Sequence, residues 1–166
     1  MMHDASEVEC VFPIGDELGE GPIWEAASQA LWFVDIKGRR IHRFEPLTGT
    51  ARVWVAPSQP GFLLPVAGGG WLAGLQDGLH RFVPESGSFE RLVAVDPTAL
   101  GNRLNDGFVD ARGRLWFGTM DDAEAVRTGA LFRFADGQLA RCDEGYCITN
   151  GPAVSPNGRV LYHTDT

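Results

Sequence analysis

Apolar residues in this chain gather in short β-branched and aromatic runs such as Leu31-Trp32-Phe33, Trp71-Leu72-Ala73 and Leu115-Trp116-Phe117. Glycine, proline and polar turn residues close each run, and no long window carries an apolar period of 3.6 residues. The pattern predicts an all-β chain. Aligned on the second strand of each unit, Trp32, Leu72, Trp116 and Tyr162 recur at intervals of 40, 44 and 46 residues. A period of about 40–50 residues is that of β-propeller blades, each a four-stranded antiparallel meander.

The first unit reads as strands over Gly21 to Glu25, Leu31 to Asp35, Arg40 to Glu45 and Ala51 to Ala56. The second repeats this from Phe62 to Val95, and the third from Gly107 to Cys142. Hairpin signals at Leu47-Thr48-Gly49, Glu85-Ser86-Gly87 and Asp136-Gly137 fall between the third and fourth strands. The expected organisation is one incomplete propeller: a ring-closing strand over 8–14, blade 1 over 20–57, blade 2 over 60–96, blade 3 over 105–143 and the start of blade 4 over 150–166. Propellers close at about four to eight blades, so roughly three and a half would leave open edges through which such a piece is expected to self-associate.

One polar position keeps its phase in this repeat. Glu20 in GEGPIW, Asn105 in NDGFVD and Asn150 in TNGPAV each precede a second strand by a similar distance, whereas the second unit has Pro60-Gly61 there. Stacked radially, equivalent positions converge on one rim of a channel, where oxygen donors can surround a cation. Asparagine before glycine also serves commonly as a turn residue, so the phase rather than the residue type carries the reading.

Composition narrows the partners. A net charge of -8 and a pI near 4.9, without a Lys/Arg cluster, oppose nucleic-acid binding. The apolar stretch from Phe62 to Leu75 is broken by Pro65 and Gly68-Gly69-Gly70, so no membrane span is expected. No basic and then apolar leader opens the chain, and Cys10, Cys142 and Cys147 form neither a CxxC nor a paired framework, which predicts a cytoplasmic protein with buried or partly buried free thiols. Trp24, Trp32, Trp71 and Trp116 sit at strand positions and are expected to pack between blades. Asp121 and Asp122 read as solvated loop charges, and His42, His80 and His163 show no HxH or HExxH spacing, so a histidine metal site is not expected.

The segments GEGPIW, LWFVDIKGRRIHRF, NRLNDGFVDARGRLWFGTM and CITNGPAVSPNGRVLYHTDT occur in the order found in the senescence-marker-protein/gluconolactonase family, which the chain resembles from about Cys10 to Thr166. The likeness is closest to bacterial sugar lactonases such as xylonolactonase. The resemblance implies a six-bladed β-propeller that binds one divalent cation in its channel and hydrolyses aldonolactones. Glu20 and Asn150 match metal ligands, and Arg103 and Asn105 match substrate contacts. The third ligand, an aspartate also serving as general base, is expected beyond Thr166, so the 166-residue chain alone is expected to be inactive. An acidic substrate contact found in many relatives falls on Ala123, preceded by Asp121 and Asp122, either of which is a candidate substitute.

A lactone is a cyclic ester, whose opening needs a polarised carbonyl and an activated water, both of which a divalent cation provides. One carboxylate and one carboxamide suit Ca²⁺, Mn²⁺, Zn²⁺ or Fe²⁺ alike. The guanidinium of Arg103 suits a polyhydroxy substrate or a developing oxyanion. The alternative function is a noncatalytic propeller that serves as a binding module, with a structural metal or none.

Overall fold

The structure, a computed structural model of the chain, describes residues 9–166. Fourteen strands form four antiparallel sheets, with no α-helix among the described residues. Sheet one contains β1 (Gly19–Glu25), β2 (Ala30–Asp35), β3 (Arg40–Glu45) and β4 (Thr50–Val55). Sheet two contains β5 (Phe62–Pro65), β6 (Trp71–Leu75), β7 (Gly78–Val83) and β8 (Ser88–Ala94). Sheet three contains β9 (Asn102–Val109), β10 (Leu115–Asp121), β11 (Gly129–Ala135) and β12 (Gln138–Tyr146), and β13 (Thr149–Val154) pairs with β14 (Leu161–Asp165) in the fourth. Each sheet is a meander in which sequence neighbours pair. No helix is long and apolar enough to cross a membrane among the described residues.

Because the hydrogen-bond ladders run within sheets, side-chain packing must join one sheet to the next. Between sheets one and two, Trp32, Val34, Ile41, Leu63, Trp71 and Phe82 form a core in which the Trp32 and Trp71 rings lie 4.5 Å apart. Between sheets two and three, Phe62, Leu79, Leu104, Phe117 and Phe132 form another. Each large side chain fully buried this way contributes about 1.5–3 kcal/mol, so these cores hold the sheets in sequence. The junction to the fourth sheet is more polar: the Thr149 hydroxyl donates to the Thr119 carbonyl at 3.1 Å, and the missing side chain of Gly118 leaves the space that Thr149 fills.

Several expectations change. Residues 9–14 form no strand; the Ile14 amide turns back to the Phe12 carbonyl at 3.1 Å, and Phe12 instead stacks on Phe44 with centroids 4.5 Å apart. Residue 8 lies outside the described residues. Trp24 is 50% exposed and does not pack between sheets, while Trp54, stacked on Trp32 at 5.4 Å, does. Cys10 and Cys142 are exposed rather than buried. Strand β9 begins at Asn102, not Gly107, because the Asn102 side chain is fixed to Thr128 in both directions, donating to its carbonyl and accepting from its hydroxyl.

The repeat is also visible in its turns. Glu25 accepts the Trp32 indole N–H at 3.0 Å, and Asp110 accepts that of Trp116 at 3.0 Å. Burial pushes the Asp110 carboxyl up, but Trp116, the Arg114 amide and side chain, and the Arg112 amide outweigh it and lower its pKa from 3.8 to about 2. A depressed folded-state pKa stabilises the fold above the unfolded value, and that stability disappears as pH falls from about 4 towards 2. The loss is about 2 kcal/mol. Urea denaturation across that window should show this slope, and Asp110→Asn should flatten it; an unchanged slope in the variant would contradict the assignment.

Candidate metal and substrate site

Three sheets carry the same local distortion beside their aromatic second strand. In sheet one Glu20 pairs with Val34 and Ile23 with Trp32, and in the fourth sheet Asn150 pairs with Thr164 and Ala153 with Tyr162, so each first strand has an extra residue. Gly21 and Gly151 take φ of 59° and 61° in these bulges, a conformation that glycine adopts without steric cost. In sheet three the register shifts between Phe117 and Thr119, leaving Asn105 and Asp106 in the irregular segment. Glu20, Asn105 and Asn150 each stand three residues before the partner of Trp32, Trp116 or Tyr162.

The equivalent position in sheet two is Gly61, three residues before Leu64, the partner of Leu72. A Cβ on Gly61 would press on the Leu104 carbonyl and lie 2.7 Å from that of Asn105. Glycine therefore lets β9 approach and brings Asn105 against the start of sheet two. Gly61→Ala should displace this segment and cost about 1–3 kcal/mol, as overpacking does. An unchanged thermal midpoint would show that the strand can shift freely.

Glu20, Asn105 and Asn150 meet at a cavity of about 210 Å³, together with Asp106, Gly61 and Ile36. The Glu20 side chain makes no hydrogen bond or ion pair among the described residues and is exposed. Asn105 is buried, and its partners fix the sense of its amide. Arg103, which can only donate, gives an N–H to Asn105 Oδ1 at 2.6 Å, and Asn105 Nδ2 donates to the Thr149 carbonyl at 2.6 Å. The same nitrogen donates to Asn150 Oδ1 at 2.9 Å, while Asn150 Nδ2 donates to the Thr166 hydroxyl at 2.6 Å. The Asn150 oxygen is thus fixed at the cavity with a second lone pair to spare.

Arg103 stands behind Asn105 and is only 2% exposed. Its Nε donates to Asp122 Oδ1 at 2.8 Å, and Asp122 also receives Lys37 Nζ at 2.7 Å and Gln59 Nε2 at 3.0 Å. Burial pushes the Asp122 carboxyl up, but Lys37, Gln59 and Arg103 together hold it below the ordinary carboxylate range. Asp122 is therefore not a solvated loop charge. Neither is Asp121, a buried group whose Oδ2 accepts the amides of Ala125 at 2.9 Å and Val126 at 3.2 Å. Of the two, Asp122 alone joins the network beside the cavity.

Asp106 is the further acid at the site. Its carboxylate accepts the Gly107 amide at 2.8 Å and the Gly151 amide at 3.0 Å, tying the third sheet to the bulge that carries Asn150. The NDG sequence offered a turn signal but nothing to distinguish this reach across sheets. The oxygen-rich donor set of Glu20 and Asn150 fits a divalent cation, with waters completing its shell.

Comparison with known proteins places this architecture. The chain is 32% identical over 160 residues to the 6-deoxy-6-sulfogluconolactonase of Pseudomonas putida, covering 96% of this chain and 55% of that protein. It is 33% identical to the regucalcin of Oryctolagus cuniculus over 166 residues, covering 96% and 56%. The solved structure of a calcium-binding protein, the regucalcin of Agrobacterium tumefaciens, superposes with a TM-score of 0.85 at 28% identity, covering 91% of this chain and 51% of that one. The chain thus spans about half the length of the curated relatives it matches. The pattern of the SMP-30/Gluconolactonase/LRE-like region matches residues 18–166, and with these relatives it shows that the chain belongs to that family.

Proposed function

We propose that the chain carries part of the metal and substrate site of a divalent-metal-dependent sugar lactonase, with the sheets as blades of a six-bladed propeller. The observation that carries this reading is the convergence of Glu20, Asn105 and Asn150 on one cavity from three different sheets. Relatives named 6-deoxy-6-sulfogluconolactonase and putative sugar lactone lactonase support an aldonolactone as the substrate class.

In this reading Glu20 supplies the anionic ligand and Asn150 Oδ1 a neutral one. Asn105 holds the Asn150 amide in its metal-facing sense while presenting its own edge to the substrate. Arg103, charged and sequestered from water, adds positive potential behind the carbonyl of a bound lactone. Asp106 has both carboxylate oxygens committed to amides, so it positions the bulge and is not placed as the base. The cation, when bound, polarises the lactone carbonyl and acidifies a water.

The test is aldonolactone opening by the protein carrying this chain, after chelation and re-addition of Ca²⁺, Zn²⁺, Mn²⁺ or Fe²⁺. One of these cations should restore turnover in the parent, and Glu20→Gln and Asn150→Ala should remove the restoration. Unchanged turnover in both variants would overturn the proposal. Cation binding with no lactone opening in a folded, ring-complete protein would favour the noncatalytic binding module instead.

A further inference from the structure

We propose that Asp16, Asp35 and His42 form a second cation site, separate from the Glu20–Asn150 cavity, that takes a divalent ion of the zinc class. Asp16 lies before β1, Asp35 ends β2 and His42 lies in β3, and one donor atom from each falls within 4.8 Å of the others. Asp35 is fully buried, and the side chains of His42 and Asp16 are 3% and 10% exposed. Buried polar atoms are nearly always paired. Here Asp16 Oδ1, Asp35 Oδ2 and both His42 ring nitrogens have no hydrogen-bond partner among the described residues.

These donors are held in place by contacts that leave them free. Asp35 Oδ1 accepts the Leu18 and Gly38 amides, each at 3.0 Å, which fixes the carboxylate and leaves Oδ2 over Gly38, where a Cβ would displace it. Phe33 stacks on the His42 ring with centroids 4.8 Å apart. His42 Nε2 and Asp16 Oδ1 are 3.1 Å apart but out of line for a hydrogen bond. Ligands about 2.0–2.2 Å from one tetrahedral zinc ion lie about 3.3–3.6 Å from each other, so the metal would draw together donors that now lie within 4.8 Å of one another.

Charge and chemistry favour the same occupant. Two carboxylates face one guanidinium, that of Arg40, 3.6 Å from Asp35 Oδ2 and 46% exposed, which is free to swing outward. The His42 imidazole offers a ring-nitrogen lone pair, the donor that such ions take most often. One nitrogen and two oxygens suit zinc-class ions, whereas Ca²⁺ favours an all-oxygen shell. A recess of about 350 Å³ lined by Gly19, Glu20 and Phe33 opens beside Asp16, which places that carboxylate at the mouth of the cluster.

Co²⁺ and Zn²⁺ titration of the chain tests the site, with Cys10, Cys142 and Cys147 changed to serine so that thiolates do not compete. The expected result is one cation, besides any held at the Glu20–Asn150 cavity, whose binding shifts the His42 ring nitrogens in NMR spectra, with Zn²⁺ displacing Co²⁺. His42→Ala removes a ligand and should weaken binding by at least about 100-fold, the upper end of what losing a ligand-orienting residue costs, with the far-ultraviolet circular dichroism retained. Asp16→Asn, at the mouth, should weaken it in a chain whose buried residues are untouched. The combined Glu20→Gln and Asn150→Ala variant should leave the His42 shifts unchanged, which separates this site from the lactonase reading. Zn²⁺ saturation without movement of the His42 resonances, or loss of binding through Glu20 rather than Asp16, would overturn the proposal.

Discussion

Replacing Glu20 with glutamine should weaken divalent-cation binding at the three-sheet cavity by at least about 100-fold, since changing a residue that merely orients a metal ligand typically costs about 10–100-fold. The side chain keeps its size and an oxygen donor but loses the one full negative charge at the cavity, among the described residues, that is not committed to amides. The other acid there, Asp106, is held by the Gly107 and Gly151 amides and cannot swing across without releasing the bulge of Asn150. Stability should move by less than about 0.5 kcal/mol, because Glu20 is exposed and makes no internal bond that would be lost. Calorimetric titration with Ca²⁺ and Mn²⁺, paired with urea denaturation, separates the two effects. Binding retained within about threefold would remove Glu20 from the ligand set.

The phase of Glu20, Asn105 and Asn150 was legible because it is a local property: a polar residue, a glycine and a first strand that bulges against an aromatic second strand. The sheets themselves were legible from turn chemistry and short apolar runs, for the same reason. What escaped the sequence comes from contacts between distant segments. Lys37 and Asp122 meet across 85 positions and Gln59 and Asp122 across 63, and no spacing rule connects three loops of different sheets. Arg103 falls ahead of the strand that the turn and apolar pattern predicts from Gly107. Anchoring of Asn102 by Thr128 instead extends β9 backwards and carries Arg103 into the interior. The acids at 121 and 122 were indistinguishable as letters; a turn consumes Asp121, and its neighbour faces the cations.

Arg103→Leu should be the most disruptive single change at the site, costing about 3–5 kcal/mol of stability. The substitution removes the donor to Asn105 Oδ1 and one partner of Asp122, leaving a buried amide oxygen unpaired and the acid short of a countercharge. Lys37 and Gln59 still hold Asp122, so the loss concentrates on Asn105, whose sense then rests on the Thr149 carbonyl alone. A flipped Asn105 would turn its oxygen towards the Thr149 carbonyl and Asn150 Oδ1, repelling both. Arg103→Lys would keep the charge, but one ammonium has no planar fork with which to serve Asp122 and Asn105 together, so it should recover less than half of the lost stability. Adding Asp122→Asn to Arg103→Leu should restore part of it by removing the undercompensated charge, a coupling that a double-mutant cycle in urea would measure. Full additivity of the two changes would mean that Arg103 and Asp122 act independently and that Asn105 alone transmits the effect of Arg103 to the cavity.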